Sequence, residues 1–123
     1  MAESMGAKPV LLHMTERTLW ESAKRTGSYR MSTRGVSLEQ QGFIHCSLPH
    51  QLRAVAEANY DDVSDLVVLV IDEASLRAEV RYEDGGDDQM FPHIYGPLPV
   101  SSVTEVIPVT RDETGQMILP GNR

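Results

Sequence analysis

The chain has 123 residues, of which 41% are hydrophobic and 24% are charged, as in an ordinary globular domain. Its net charge of -7 argues against general nucleic-acid binding, because an acidic surface repels phosphate backbones. The single cysteine, Cys46, excludes an internal disulfide bond, and the longest apolar run, Leu66–Ile71, is too short to cross a bilayer. No signal peptide is visible at the start. We therefore expect one cytoplasmic domain over residues 1–123, with flexible ends at 1–8 and 120–123. We expect neither a membrane nor a nucleic-acid partner.

The first third of the chain predicts a strand, a helix and an irregular stretch. Val10–Met14 is a compact apolar run of strand length. Thr15 is a helix-capping residue type, and an apolar stripe then indicates a helix that stops at Gly27. Basic residues are frequent in this region and leave a local basic pocket open as an alternative; they are Arg17, Lys24, Arg25, Arg30 and Arg34.

The middle of the chain predicts a strand that runs directly into a second helix. Ser37–Gly42 is typical of one helical turn closed by glycine, and Phe43–Cys46 follows as a strand. The helix begins at Ser47 or Leu48, with a proline in its first turn and one apolar face.

The second half is dominated by predicted strands. Leu66–Ile71 is apolar throughout and is the candidate for the centre of the sheet. Ala78–Glu83 alternates apolar and polar residues, and Val103–Val109 and Met117–Leu119 follow as shorter strand candidates. Helices early and strands late predict an α+β fold, with a mixed or antiparallel sheet and two main helices.

Two stiff stretches carry the side chains capable of chemistry, Gly42–Ser47 and Phe91–Leu98. His45 and Ser47 lie two residues apart in an extended segment and therefore share a face, which Cys46 does not. The same parity places His93 beside Tyr95. Together with His13 at the end of the first strand, these four side chains are predicted to line one pocket.

Each of these residues also has a structural interpretation. A histidine at a strand end is often a hydrogen-bonded structural residue, and Ser47 is most simply the N-cap of the following helix. Cys46 is best interpreted as a free buried cysteine. The prolines in Phe91–Leu98 disfavour a regular strand and favour a rigid wall, although Tyr95 in such a wall can stack on a flat ligand. Three histidines also leave a zinc site open as an alternative.

These motifs resemble the DUF952 family of small bacterial proteins of unknown function. The resemblance runs from about Val10 to Val109 and rests chiefly on Gly42-Phe43-Ile44-His45-Cys46-Ser47 and Phe91-Pro92-His93-Ile94-Tyr95-Gly96-Pro97-Leu98. It implies an ADP-ribosyltransferase-like fold.

In ADP-ribosyltransferases, a first-strand residue binds the ribose of NAD, and the resemblance gives this role to His13. His45 and Ser47 match a second-strand role, and Tyr95 matches the residue that stacks on nicotinamide. The catalytic glutamate has no clear match; Glu83 is the nearest candidate and Glu105 a weaker one. NAD is therefore a cofactor candidate by resemblance alone.

The leading hypothesis is an enzyme or binder for a small nucleotide-like ligand related to NAD or ADP-ribose. In it, His45, His93 and Ser47 are the catalytic candidates, with no metal, and His13, Thr15, Tyr29 and Tyr95 are the cofactor-binding candidates. A non-catalytic ligand-binding or interaction module is the alternative, and a metal-dependent hydrolase is the third.

Overall fold

The computed structural model describes residues 10–85 and 88–120. The predicted loose ends lie outside these residues, except for Pro120. The helices are α1 (Arg17–Thr26), α2 (Leu38–Gln41) and α3 (Leu52–Asn59). The strands are β1 (Val10–Glu16), β2 (Ser28–Tyr29), β3 (Met31–Thr33), β4 (Val36–Ser37), β5 (Ile44–His45), β6 (Leu66–Asp72), β7 (Glu79–Asp84), β8 (Met90–Tyr95), β9 (Leu98–Pro99), β10 (Val103–Pro108), β11 (Thr110–Arg111) and β12 (Met117–Ile118).

Two three-stranded antiparallel sheets form the framework. The first sheet has the order β1-β6-β10 and the second has the order β5-β8-β7. An isolated bridge between Leu12 and Ser47 joins them, with both N–H···O distances at 2.8 Å. The predicted α+β class with two main helices, α1 and α3, is confirmed. Among the described residues, no helix has the length and apolar character needed to span a membrane.

Strand β6 is the centre of the first sheet, as its sequence predicts. Residues Leu66–Ile71 are all at most 4% exposed, because both faces of the sheet are covered. On one face Leu69 packs in a core with Trp20 of α1 and Ile94 of β8. On the other face Val68 packs with Leu52 of α3. Each fully buried side chain of this size contributes about 1.5–3 kcal/mol to stability.

The second sheet has one face in the core and one face outside it. Ile44, Val80 and Ile94 point into the core that β6 shares with α1. Side chains alternate along a strand, so the odd-numbered residues of β5, β7 and β8 lie on the opposite face. Both histidines of the two predicted motifs are on this outer face, which the hydrophobic core does not cover.

Two details of the chain differ from the sequence-based expectation. Thr15 does not cap α1, because β1 continues to Glu16, which occupies the N-cap position without a side-chain hydrogen bond. Pro92 does not interrupt β8, which pairs on both sides as a regular strand. The carbonyl of Pro92 accepts the N–H of Cys46 at 3.0 Å. Its missing N–H faces the same side, so only the reciprocal bond to the Cys46 carbonyl is absent, at the point where β5 ends, and the ladder to β7 is unaffected.

Candidate functional site

A buried hydrogen-bond network fixes the first predicted residue, His13. Its Nδ1 donates to the carbonyl oxygen of His45 at 2.7 Å, since a carbonyl can only accept. Burial lowers the pKa of His13 to about 4, so the ring is neutral at pH 7 and its Nε2 accepts from the Tyr29 hydroxyl at 2.8 Å. The Thr15 hydroxyl in turn donates to Tyr29. We call Thr15, Tyr29 and His13 the interior network; its side chains are at most 3% exposed and all bonded to protein.

A second cluster lies on the outer face of the second sheet. Glu83 Oε1 accepts hydrogen bonds from Nδ1 of His93 at 2.8 Å and from the Tyr95 hydroxyl at 2.6 Å. These bonds, from Tyr95 first and His93 second, lower the pKa of the Glu83 carboxyl. We call Glu83, His93 and Tyr95 the Glu83 cluster. His93 and Tyr95 lie on the same face of β8, as strand parity predicted. Glu83 is the carboxylate that accepts hydrogen bonds from both.

The surroundings of His93 leave one of its nitrogens without a partner. Phe43 stacks on the imidazole with 4.0 Å between ring centroids, and His93 is 5% exposed. Its Nε2 is buried and hydrogen-bonds to no other atom in the described part of the chain. A buried unpaired polar atom costs about 1–3 kcal/mol, and such groups are concentrated at functional sites. Because Glu83 holds the other nitrogen, the orientation of this Nε2 is fixed.

His45 connects the two hydrogen-bonded groups. Its carbonyl accepts from His13 of the interior network, and its ring centroid lies 5.2 Å from that of His93. Burial, with a smaller contribution from His93, lowers the pKa of His45 to about 4. The ring is half-buried, and neither of its nitrogens hydrogen-bonds to another residue within 10–85 or 88–120. It is therefore a neutral imidazole that can both donate to and accept from a ligand.

An open groove of about 230 Å³ exposes this imidazole. We call it the His45 groove. The helix α3 forms one wall with Ala54, Val55, Ala58 and Asn59. His45, Gly85, Gln89 and Phe91, from β5 and the β7–β8 hairpin, complete the lining. Its volume is below the roughly 300–1,000 Å³ of a drug-sized ligand site, so it accommodates a single ring system.

Comparison with known proteins places the chain in a family. The family model described as "Protein of unknown function (DUF952)" matches residues 14–106, which is more than half of the chain. The chain belongs to the DUF952 family. The predicted resemblance is thereby confirmed at the level of the family.

Solved structures of one bacterial protein share the fold of this DUF952 protein. A crystal structure of protein CC0527 from Caulobacter crescentus is 28% identical, with a TM-score of 0.78, and the match covers 89% of this chain and 93% of that chain. A crystal structure of a double mutant of CC0527 gives the same TM-score at 27% identity and the same coverage. The solution structure of CC0527 gives a TM-score of 0.72 at 28% identity, covering 86% and 89% of the two chains. No curated protein matches.

Ser47 of this DUF952 protein is not placed as the sequence predicted. The N-cap of the turn Pro49–Gln51 is Leu48, whose N–H donates to the Gln51 side chain at 2.9 Å, so the N-cap interpretation of Ser47 is wrong. Ser47 forms the backbone bridge to Leu12 instead and is 2% exposed. With His13 and His45 it lines a small, largely buried pocket of about 10 Å³, which we call the internal cavity. That volume suits one water molecule and no larger ligand.

The side chains predicted to line one pocket therefore lie in two adjoining groups. His13, His45 and Ser47 meet at the internal cavity, whereas His93 and Tyr95 belong to the Glu83 cluster. His45 lines the cavity, and its ring lies 5.2 Å, between ring centroids, from His93 of the cluster. The internal cavity and the His45 groove are separated by His45 and Val55, which line both.

Other candidate residues have structural partners. Cys46 is buried in the core on the face opposite His45, as predicted, and burial raises the pKa of its thiol. Most of the early basic residues form surface ion pairs, namely Arg17–Asp65, Lys24–Glu21, Arg30–Glu39 and Arg34–Asp62. Over residues 10–85 and 88–120, no three His, Cys, Asp or Glu side chains form a group that could hold a metal ion.

Sequence reasoning missed several residues of the site. Phe43 was assigned only to a strand, yet it stacks on His93. Arg81 lies over the Tyr95 ring at 4.2 Å and pairs with Glu79 at 3.0 Å. The alternation of apolar and polar residues in Ala78–Glu83 could have identified Arg81, because it places Arg81 on the same strand face as Glu83. The contribution of α3 to the groove had no such signal, since alanines on a helix are ordinary.

Proposed function

We propose that this protein binds a small nucleotide-like ligand through its planar ring, with the ring inserted in the His45 groove. NAD and compounds related to ADP-ribose belong to this class. The observation that carries the proposal is the His45 imidazole, which is neutral, half-buried and free to hydrogen-bond in the lining of a ring-sized groove. Phe91 provides an aromatic surface beside it, with 5.1 Å between the Phe91 and His45 ring centroids.

In the catalytic form of this proposal, His45 exchanges a proton with the ligand and His93 is the neighbouring proton site. Glu83 holds Nδ1 of His93, which leaves Nε2 as the nitrogen available for exchange. A carboxylate that orients a histidine in this way selects the tautomer that the chemistry needs. His13 contributes by fixing the backbone of β5 through the His45 carbonyl rather than by touching the ligand.

The resemblance to ADP-ribosyltransferases remains part of the proposal. Within it, Glu83 is the better of the two glutamate candidates. Glu83 lies with His93 and Tyr95, whereas Glu105 lies on β10 of the first sheet. Transfer or hydrolysis on NAD is the reaction class that follows.

A non-catalytic binding module is the second candidate, and the composition of the groove favours it. No carboxylate lines the His45 groove among the described residues, and Glu83 is occupied by two hydrogen bonds. A binding module of this kind has a preformed pocket and no turnover.

Thermal-shift and calorimetric titrations with nicotinamide, adenosine, NAD and ADP-ribose test the proposal. Binding to the folded state raises the melting temperature by an amount that grows with the logarithm of the ratio of ligand concentration to Kd. His45→Ala is expected to remove binding and to destabilise the fold by no more than about 1 kcal/mol, because the carbonyl that His13 needs remains. Ala58→Leu fills the groove without changing any polar group, and Ala74→Leu, at an exposed site outside the groove, is its matched control. Binding that survives both His45→Ala and Ala58→Leu contradicts the proposal.

Product analysis separates the two candidates. Release of nicotinamide from NAD by the wild-type protein, lost in His45→Ala, identifies an enzyme. Binding without release identifies a binding module.

A further inference from the structure

Among the described residues, the polar side chains that line the His45 groove are all uncharged. Asn59, Gln89 and His45 are its hydrogen-bonding side chains, and its remaining lining is apolar or glycine. The His45 ring is neutral at pH 7 because its pKa is about 4. Each of these three side chains offers both a donor and an acceptor. Such groups match the amide-like edges of a planar ring, which also present donors next to acceptors.

The described lining of the groove has no cationic side chain that could hold a phosphate. No lysine or arginine lines it among the residues described. Arg81, the cation on the neighbouring sheet face, lies over Tyr95 and is paired with Glu79. Arg53 of α3 is paired with Glu57 and donates to the Met117 carbonyl at 3.2 Å. A phosphate approaching this region meets the Glu83 carboxylate and an overall charge of -7, and both of these arginines are already paired.

The shape of the groove also fits a flat ring. On one side of the groove, Ala54 and Ala58 of α3 present only methyl groups. On the other side, Phe91 presents an aromatic ring. Gly85 is required for this position of Phe91, because a Cβ on residue 85 would lie 2.5 Å from Cδ1 of Phe91. A planar ring between an aromatic side chain and a small-residue helix face gains stacking and burial together.

We infer that the groove recognises an uncharged planar ring with an amide-type edge, and that any phosphates of the ligand stay outside it in solvent. This inference rests on the proposed function and narrows its ligand to the free base, carboxamide or nucleoside. Nicotinamide and the nucleobases share the recognised chemistry, so separate titrations with nicotinamide, adenosine and cytidine identify which source is used.

Isothermal titration at low and at high salt tests the inference. The ring compound is expected to bind within about threefold of the affinity of NAD, ADP-ribose or cytidine monophosphate, with no salt dependence, because no charge pair forms. Nucleotides that bind at least about tenfold tighter than their nucleosides, with the advantage lost at high salt, overturn this inference and leave the proposed function standing. Absence of binding by every compound overturns both.

Variants of the two amides give an independent result. Asn59→Ala and Gln89→Ala are each expected to weaken ring binding by about 3- to 10-fold, the loss of one neutral hydrogen bond. Gln41→Ala, an exposed amide that does not line the groove, is the matched control and is expected to bind as the wild type does. Unchanged ring affinity in both amide variants contradicts recognition of an amide-type edge.

Discussion

Nδ1 of His13 donates to the backbone carbonyl of His45 over 2.7 Å, and this bond ties the buried strand β1 to the strand that carries the candidate ligand-binding imidazole. The bond uses the carbonyl of His45 and leaves its ring free. One histidine therefore has a structural role and the other is available for chemistry. Both histidines occur in short apolar strand segments, and only the hydrogen-bond partners distinguish their roles.

Removal of the Tyr29 hydroxyl is expected to destabilise the fold. Tyr29→Phe leaves Nε2 of His13 buried without a donor, which costs about 1–3 kcal/mol. Urea unfolding at neutral pH measures the loss. Tyr82→Phe removes a hydroxyl that donates to Glu73 at the exposed surface and is expected to cost less than about 0.5 kcal/mol. Equal effects of the two variants would contradict the interior network.

Stability is expected to fall as the pH drops below the ordinary histidine pKa of 6.5. The folded His13 has a pKa of about 4, so between these values the unfolded chain binds more protons than the folded chain does. Protonation therefore favours unfolding throughout this window, and at about 1.4 kcal/mol per pKa unit His13 accounts for roughly 3 kcal/mol. The depressed pKa of His45 acts in the same direction.

His13→Gln is the variant that isolates this contribution. A glutamine side chain can also donate to the His45 carbonyl and accept from Tyr29, but it does not titrate. Unfolding free energies between about pH 7 and pH 4.5 should show a smaller loss in the variant than in the wild type. An identical pH dependence of the unfolding free energy in both proteins rules out His13 as the source of the stability lost at low pH.

The tautomers of His13 and His93 are expected to be the same. Each ring donates from Nδ1, to the His45 carbonyl and to the Glu83 carboxylate respectively. Nitrogen NMR of the labelled histidines reports the protonated nitrogen directly. Glu83→Ala should release the tautomer preference of His93 and leave that of His13 unchanged. A change at both rings, or at neither, would disprove the assignment of the Glu83 cluster.

Gly85→Ala is expected to weaken ligand binding through Phe91. The new Cβ would lie 2.5 Å from Phe91 Cδ1, so the aromatic ring must move away from its place in the groove. A loss of affinity of about tenfold is the size of one displaced stacking contact. Gly35→Ala is not a suitable control, because a φ of 73° makes that site strained for alanine. Ala74→Leu serves again, and wild-type affinity in Gly85→Ala excludes Phe91 as a ligand contact.

The elements of the fold that the sequence predicted best are those set by periodicity. The unbroken apolar run of β6 identified the strand buried on both faces, and the parity of His93 and Tyr95 identified their common face. Local capping rules failed at Thr15 and Ser47, because the backbones of both residues pair with distant strands: Thr15 pairs with Val67 of β6, and Ser47 bridges to Leu12 of β1. Neither contact has a signature in the neighbouring residues. The expectation that Pro92 disfavours a regular strand failed for the same reason, since the place of Pro92 in β8 depends on where the distant strand β5 ends.

The sequence predicted individual residues of the candidate site but not their arrangement in space. Each histidine was identified by residue type and parity, but the division between His13 inside and His93 outside depends on which sheet face each strand presents. The groove forms where α3 approaches the β7–β8 hairpin, and the alanines of α3 carry no sequence signal for it.

Mapping of ligand-induced chemical shifts on nitrogen-labelled protein tests the central claim most directly. Nicotinamide and adenosine are titrated separately, and the backbone resonances that move are assigned. The largest shifts are expected at His45, Ala54, Ala58 and Phe91, which lie around the His45 groove, with little change at Thr15 or Tyr29 of the interior network. Shifts centred elsewhere in the chain, or none with either ring compound, would contradict the assignment of this groove as the ligand site.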